Sequence, residues 1–83
     1  MNVTQKLYAG LSDYLPLGSR DNRVEVTIGE SETVAGLIAR HQLPKKLVHL
    51  VLVNGVFIPP ENRNAHVLRS GDHLAIWPPI AGG

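Results

Sequence analysis

The stretch "LVHLVLVNGVFIPP", residues 47–60, decides how this chain folds. Leu50 to Val53 are apolar at every position, so a strand there is expected to be mostly covered on both faces. Asn54-Gly55 follows, and both residue types accept the positive φ of a two-residue type I′ turn. Val56 to Ile58 then return as a short partner strand. Pro59-Pro60 ends the pairing, because proline has no backbone N–H to give to a ladder. A two-stranded hairpin is marginal in water, so the rest of the chain has to add strands and a covering layer.

The covering layer lies just upstream, in "GESETVAGLIARHQLP", residues 29–44. Ser31 and Thr33 are both placed to cap a helix, and Glu30 and Glu32 complement its positive dipole end. Val34, Leu37 and Ile38 form one apolar stripe, and Pro44 stops the helix. So short a helix needs that stripe packed on a sheet. Further upstream, Val24, Val26 and Ile28 alternate with Arg23, Glu25 and Thr27, the pattern of a half-buried strand. Val3, Gln5 and Leu7 alternate with Thr4, Lys6 and Tyr8 in a first strand, with Gln5 a polar member of the apolar series. "LSDYLPLGSRDN", residues 11–22, reads as an irregular connection. Downstream, "ENRNAHVLRSGD", residues 61–72, is mostly loop, with Gly71 free to turn left-handed before a last strand from His73 to Trp77. The expected class is α+β, a mixed sheet of about five strands packed on one main helix.

At 83 residues the chain is one domain, which buries roughly 60% of its unfolded surface. That leaves no space for a cofactor domain or a deep pocket, so function is expected on the surface or at an end. Charged residues are 18% of the chain, below the roughly 25% of an average protein, which favours an apolar docking patch. A formal charge of +1 gives no electrostatic footprint for nucleic acid or acidic membrane. There is no cysteine, which excludes a disulfide scaffold, a thiolate zinc site and a cysteine nucleophile. The start "MNVTQKLYAGL" lacks a signal-peptide core, and no apolar run approaches the roughly 18 residues of a membrane span, so a cytoplasmic protein is expected.

Side-chain chemistry is sparse. His41, His49, His66 and His73 lack the short spacing of helical metal pairs, so no metal site is expected, and His41 is expected to meet the negative end of the helix dipole. Ser12-Asp13 and Ser70-Asp72 carry no nucleophile-elbow motif, and "RSGD", residues 69–72, lacks P-loop spacing. Tyr8, Tyr14, Phe57 and Trp77 are too few for a base-stacking platform.

What remains is "WPPIAGG", residues 77–83. Pro78 and Pro79 fix φ and send the chain out as a stiff arm. Ile80 and Ala81 shrink towards Gly82 and Gly83, which have no Cβ and can enter a narrow channel. The terminal carboxylate, with a reference pKa of about 3.3–3.7, is ionised and must be activated before anything can attack it. Residues 1–77 therefore read as a domain and 78–83 as a tail offered to another enzyme.

"KLYAGL", "VNG", "SGD" and above all the closing "PPIAGG" resemble the ubiquitin-like β-grasp sulfur carriers. Within that group the match is nearest the small subunit of molybdopterin synthase, with the thiamine sulfur carrier a relative. The resemblance implies a sheet in which the first and last strands lie parallel at the centre. It implies a carrier that is not itself an enzyme and binds no cofactor, acting as the small subunit of a sulfurtransferase complex. An E1-like adenylating enzyme, using ATP and Mg²⁺, activates Gly83, and a persulfide donor then leaves a thiocarboxylate there. The large synthase subunit accepts that sulfur for the dithiolene of molybdopterin. Service to thiazole, tRNA or cysteine synthesis, or conjugation to lysines through Gly83, are the alternatives the same resemblance carries. By position Gly83 bears the sulfur, while Pro78, Pro79, Ile80, Ala81 and Gly82 form the inserted arm. Trp77, Phe57 and Ile58 are candidates for an apolar docking patch, with Phe57 equally a candidate for the core. Arg63 and Arg69 are candidates for contact with a partner's acidic groups, or plain surface.

Overall fold

Alternation at the start of the chain puts Val3 and Leu7 inward from β1 (Asn2–Leu7), and both are buried. The structure, a computed structural model, describes residues 1–15, 19 and 21–79. β2 (Arg23–Thr27) pairs antiparallel with β1, setting Val26 opposite Val3 and Val24 opposite Gln5. Ile28 lies just past the strand, still buried, with its N–H bonded to the Met1 carbonyl at 2.8 Å.

The helix α1 spans Val34–Arg40. Of the two cap candidates Thr33 is the cap, its Oγ1 accepting from the Gly36 N–H at 3.0 Å. Val34 and Leu37 are fully buried, and Ile38 is half-buried at the margin of the core. The helix ends before Pro44, because Gln42 already turns left-handed with φ 56°. Proline therefore follows the stop and does not make it.

β3 (Leu50–Val53) and β4 (Val56–Phe57) form the expected hairpin, with φ 51° at Asn54 and 83° at Gly55. β5 (His73–Trp77) enters between β1 and β3, parallel to the first and antiparallel to the second. The sheet order is β2-β1-β5-β3-β4, so the first and last strands lie side by side at its centre. Leu74, Ile76, Val51 and Val53 complete the inward face against Leu37 and Leu68.

Two expectations need correcting. Leu50 and Leu52 are only half-buried, because the helix covers one face of the sheet and nothing among the described residues covers the other. The connection after β1 is partly ordered as a 3₁₀ helix over Ala9–Tyr14, with Leu11 fully buried. A 3₁₀ turn has no 3.6-residue stripe to betray it in a sequence. Further 3₁₀ turns span Lys45–Leu47 and Pro60–Asn62.

The long loop before β5 closes the helix N-terminus. The N–H groups of Val34 and Ala35 donate to the carbonyls of His66 and Arg63 at 3.0 and 2.9 Å, satisfying donors that have no partner within the helix. "VNG" and "SGD" meet at the far end of the sheet. Asn54 Nδ2 donates to Asp72 Oδ1 at 2.9 Å, while Asn54 Oδ1 accepts from the His73 N–H at 2.9 Å. The two motifs form one clasp that fixes where β5 begins.

Candidate functional site: an open sheet face and the base of the tail

Residues paired across neighbouring strands share a face. Lys6 lies opposite Ala75, Ala75 opposite Leu52, and Leu52 opposite Phe57, which makes one row across the uncovered side. The next row joins Trp77 to Leu50. Tyr8 continues β1 beside Trp77, and the two rings stack with centroids 4.4 Å apart and planes 6° from parallel. The half of this face built from β5, β3 and β4 is thus an apolar band. The other half is polar, with Arg23 beside Lys6 and Glu25 beside Thr4.

The tail starts at the aromatic end of this band. The Trp77 carbonyl accepts from the His49 N–H at 3.0 Å, and the Tyr8 N–H donates to the Ile76 carbonyl at 3.1 Å. The last strand is therefore held from both sides up to Trp77. Pro78 is half-buried and Pro79 exposed. Ile80, Ala81 and Gly82, expected to be inserted, and Gly83, expected to bear the sulfur, lie outside the described residues.

The other candidates divide. Phe57 is 49% exposed and sits on the band, so it is surface and not core. Ile58 is a correction: at 6% exposure it belongs to the core, just past β4, with its N–H bonded to the Val51 carbonyl at 2.9 Å. Arg63 is not plain surface but a tethered side chain. Its Nε donates to the Ile58 carbonyl at 3.0 Å and its Nη2 to the His49 carbonyl at 3.3 Å, so it braces the backbone beside the tail base. Burial lowers its pKa, and Glu61 opposes that effect. Arg69 is exposed but stands near the start of β5, at the opposite end from Trp77. Tyr8, Leu50, Leu52 and Ala75 were not among the docking residues expected from the sequence. Leu50, Leu52 and Ala75 were hidden because face assignment needs the register, and Tyr8 because its partner comes from the other end of the chain.

His41 does not act as a cation on the helix end. Its Nδ1 lies 2.9 Å from Oε1 of the fully buried Gln5. Burial and then the Arg40 charge lower its pKa, with Glu32 opposing, so the neutral ring is favoured. Among the described residues no three His, Cys, Asp or Glu side chains gather as a metal group, and no helix is long and apolar enough to cross a membrane.

A five-stranded mixed sheet crossed by one helix, with parallel first and last strands at its centre, defines a ubiquitin-like β-grasp protein. The ThiS family model matches residues 16–83, and the chain belongs to that family of small sulfur carriers. It is similar over 100% of both chains to SAMP1 from Haloferax volcanii, at 26% identity and a TM-score of 0.69. With the same full coverage it resembles the thiamine biosynthesis protein ThiS from Geobacter metallireducens, at 20% identity and TM-score 0.67. A further match, again over 100% of both chains, comes from a complex of subunits 1 and 2 of the molybdopterin-converting factor of Helicobacter pylori, at 18% identity and TM-score 0.62. The last two likenesses establish fold alone. No functionally curated protein matches the sequence.

Proposed function

We propose that this chain is a cytoplasmic sulfur carrier whose Gly83 carboxylate becomes a thiocarboxylate and supplies sulfur for the dithiolene of molybdopterin. The observation that carries the reading is the anchored base of the tail. Trp77 is fixed by His49 and stacked on Tyr8, and two prolines follow it directly. A fixed base followed by residues of restricted φ lowers the ordering cost of delivering a reactive end to a partner's site.

The chemistry falls to partners. A carboxylate oxygen of Gly83 attacks the α-phosphate of Mg²⁺-bound ATP on an adenylating enzyme, and pyrophosphate leaves. Sulfur from a persulfide donor displaces AMP from the acyl-adenylate, and reductive cleavage of the S–S bond by a thiol leaves the thiocarboxylate. The carrier supplies no acid, base or bound cofactor; positioning is its contribution. A large synthase subunit is the acceptor's host, a role supported by the two-subunit Helicobacter complex. The apolar band around Trp77 and Phe57 is the surface offered to these partners.

Membership of the ThiS family also favours thiazole synthesis as the destination, and the likeness to SAMP1 favours attachment to lysines. Intact mass separates a sulfur carrier from a modifier, which would instead be found attached to protein lysines. Protein incubated with the adenylating enzyme, ATP and a sulfur donor should exchange one oxygen for sulfur at Gly83. Deleting Gly83 should abolish transfer while the denaturation midpoint stays put. A truncated chain that still supports cofactor synthesis overturns the proposal.

A further inference from the structure

On the helix side, away from the open sheet face, a groove of about 470 Å³ runs between α1 and the connections on either side of the β3–β4 hairpin. Ala35, Ile38 and Ala39 form its helix wall, and Leu43, Val48 and Pro60 face them. Its remaining lining is Lys45, Arg63 and Asn64, so every charge in it is positive. Among the described residues neither cation has a carboxylate within ion-pair distance; the one ion pair is Arg40 with Glu32, at 2.8 Å. Glu61 influences Arg63 electrostatically without pairing with it. The Arg63 guanidinium is already held in place by two backbone carbonyls. A partner therefore finds it oriented and meets little further ordering cost.

We infer that this groove docks a short segment of a protein partner in which aliphatic side chains alternate with carboxylates. The aliphatic groups take the Ile38–Val48 floor, and the carboxylates meet Lys45 and the free edge of Arg63. Two unpaired cations beside apolar walls select for this chemistry and reject basic or purely polar segments, which would leave like charges or apolar walls unsatisfied. Docking here leaves the sheet face and the tail base uncovered, so one carrier can be held by its helix side while its tail is in use elsewhere. The inference is independent of the sulfur chemistry.

The test uses the full-length labelled chain and a panel of short capped peptides alternating leucine or isoleucine with glutamate or aspartate, read by amide shifts. Saturable shifts are expected at Ala35, Ile38, Ala39, Val48 and Asn64, with none for matched peptides carrying lysine in place of the acids. Lys45→Glu should weaken binding about tenfold. Lys46→Glu makes the same change in net charge one residue away, outside the groove lining, and should weaken it far less. Both lysines are exposed, so neither variant endangers the fold. The proposal is overturned if no panel member shifts the groove, if shifts centre on Leu50, Leu52 and Phe57, or if both variants weaken binding equally.

Discussion

Thr33 and Gly36 explain one another. Glycine inside a helix costs roughly 1 kcal/mol relative to alanine. A Cβ on Gly36 would stand 3.1 Å from Thr33 Oγ1 and 2.9 Å from Glu32 Oε2, crowding the cap. The cap is the larger asset, because the helix is short and cannot stand alone. Thr33→Ala should lower stability by about 1 kcal/mol, measured as a drop in the urea midpoint at unchanged slope. Gln5 and His41 set a pH dependence at the other end of the same helix. The folded-state pKa of His41 lies below its ordinary 6.5, chiefly through burial. Between those two values the unfolded chain binds more protons, so stability rises with pH there. The contribution is complete above pH 6.5 and is lost as pH falls towards the lowered value. Urea midpoints across this window should decline on acidification, and His41→Gln should flatten that part of the slope.

Among the elements, the β3–β4 hairpin and β5 divide the work between core and surface. Their inward residues bury Val51, Val53, Leu74 and Ile76, while their outward residues make the apolar band. Phe57 sits on the sheet edge at 49% exposure. Phe57→Glu should leave stability within about 0.5 kcal/mol. It should nonetheless cost about 2 kcal/mol of affinity for the adenylating enzyme or the synthase subunit, read by titration calorimetry. Unchanged affinity would remove Phe57 from the docking surface. These elements, with β2, were also the most legible in the sequence, because Asn54-Gly55, the His73–Trp77 run and the Val24–Ile28 alternation are local signals. What was missed depends on distant partners. Gln5 broke an apolar series yet is fully buried, and the His41 ring that meets it arrives only with the helix. Ile58 was placed outward because a two-residue strand carries too little pattern to give its phase. Arg63 read as a partner contact or plain surface because the carbonyls that hold it belong to other segments.

Across the whole molecule, the helix sits on one face of the sheet, nothing among the described residues covers the other, and β5 ends at that face's aromatic end. The proposed function was read from the tail motif alone, since it is contiguous. The band beside it is assembled from four separated stretches, Tyr8, Leu50–Leu52, Phe57 and Ala75–Trp77. The central position of β5 has a consequence for biosynthesis. While the chain grows from the ribosome, β1 emerges well before β5 and waits, one flank unpaired, for that distant strand. At about 5–20 residues per second that wait lasts several seconds. Pairing so distant in sequence also slows folding once it can begin. A chain cut short before β5 lacks the strand that joins β1 to β3, so its sheet is left in two unconnected pieces.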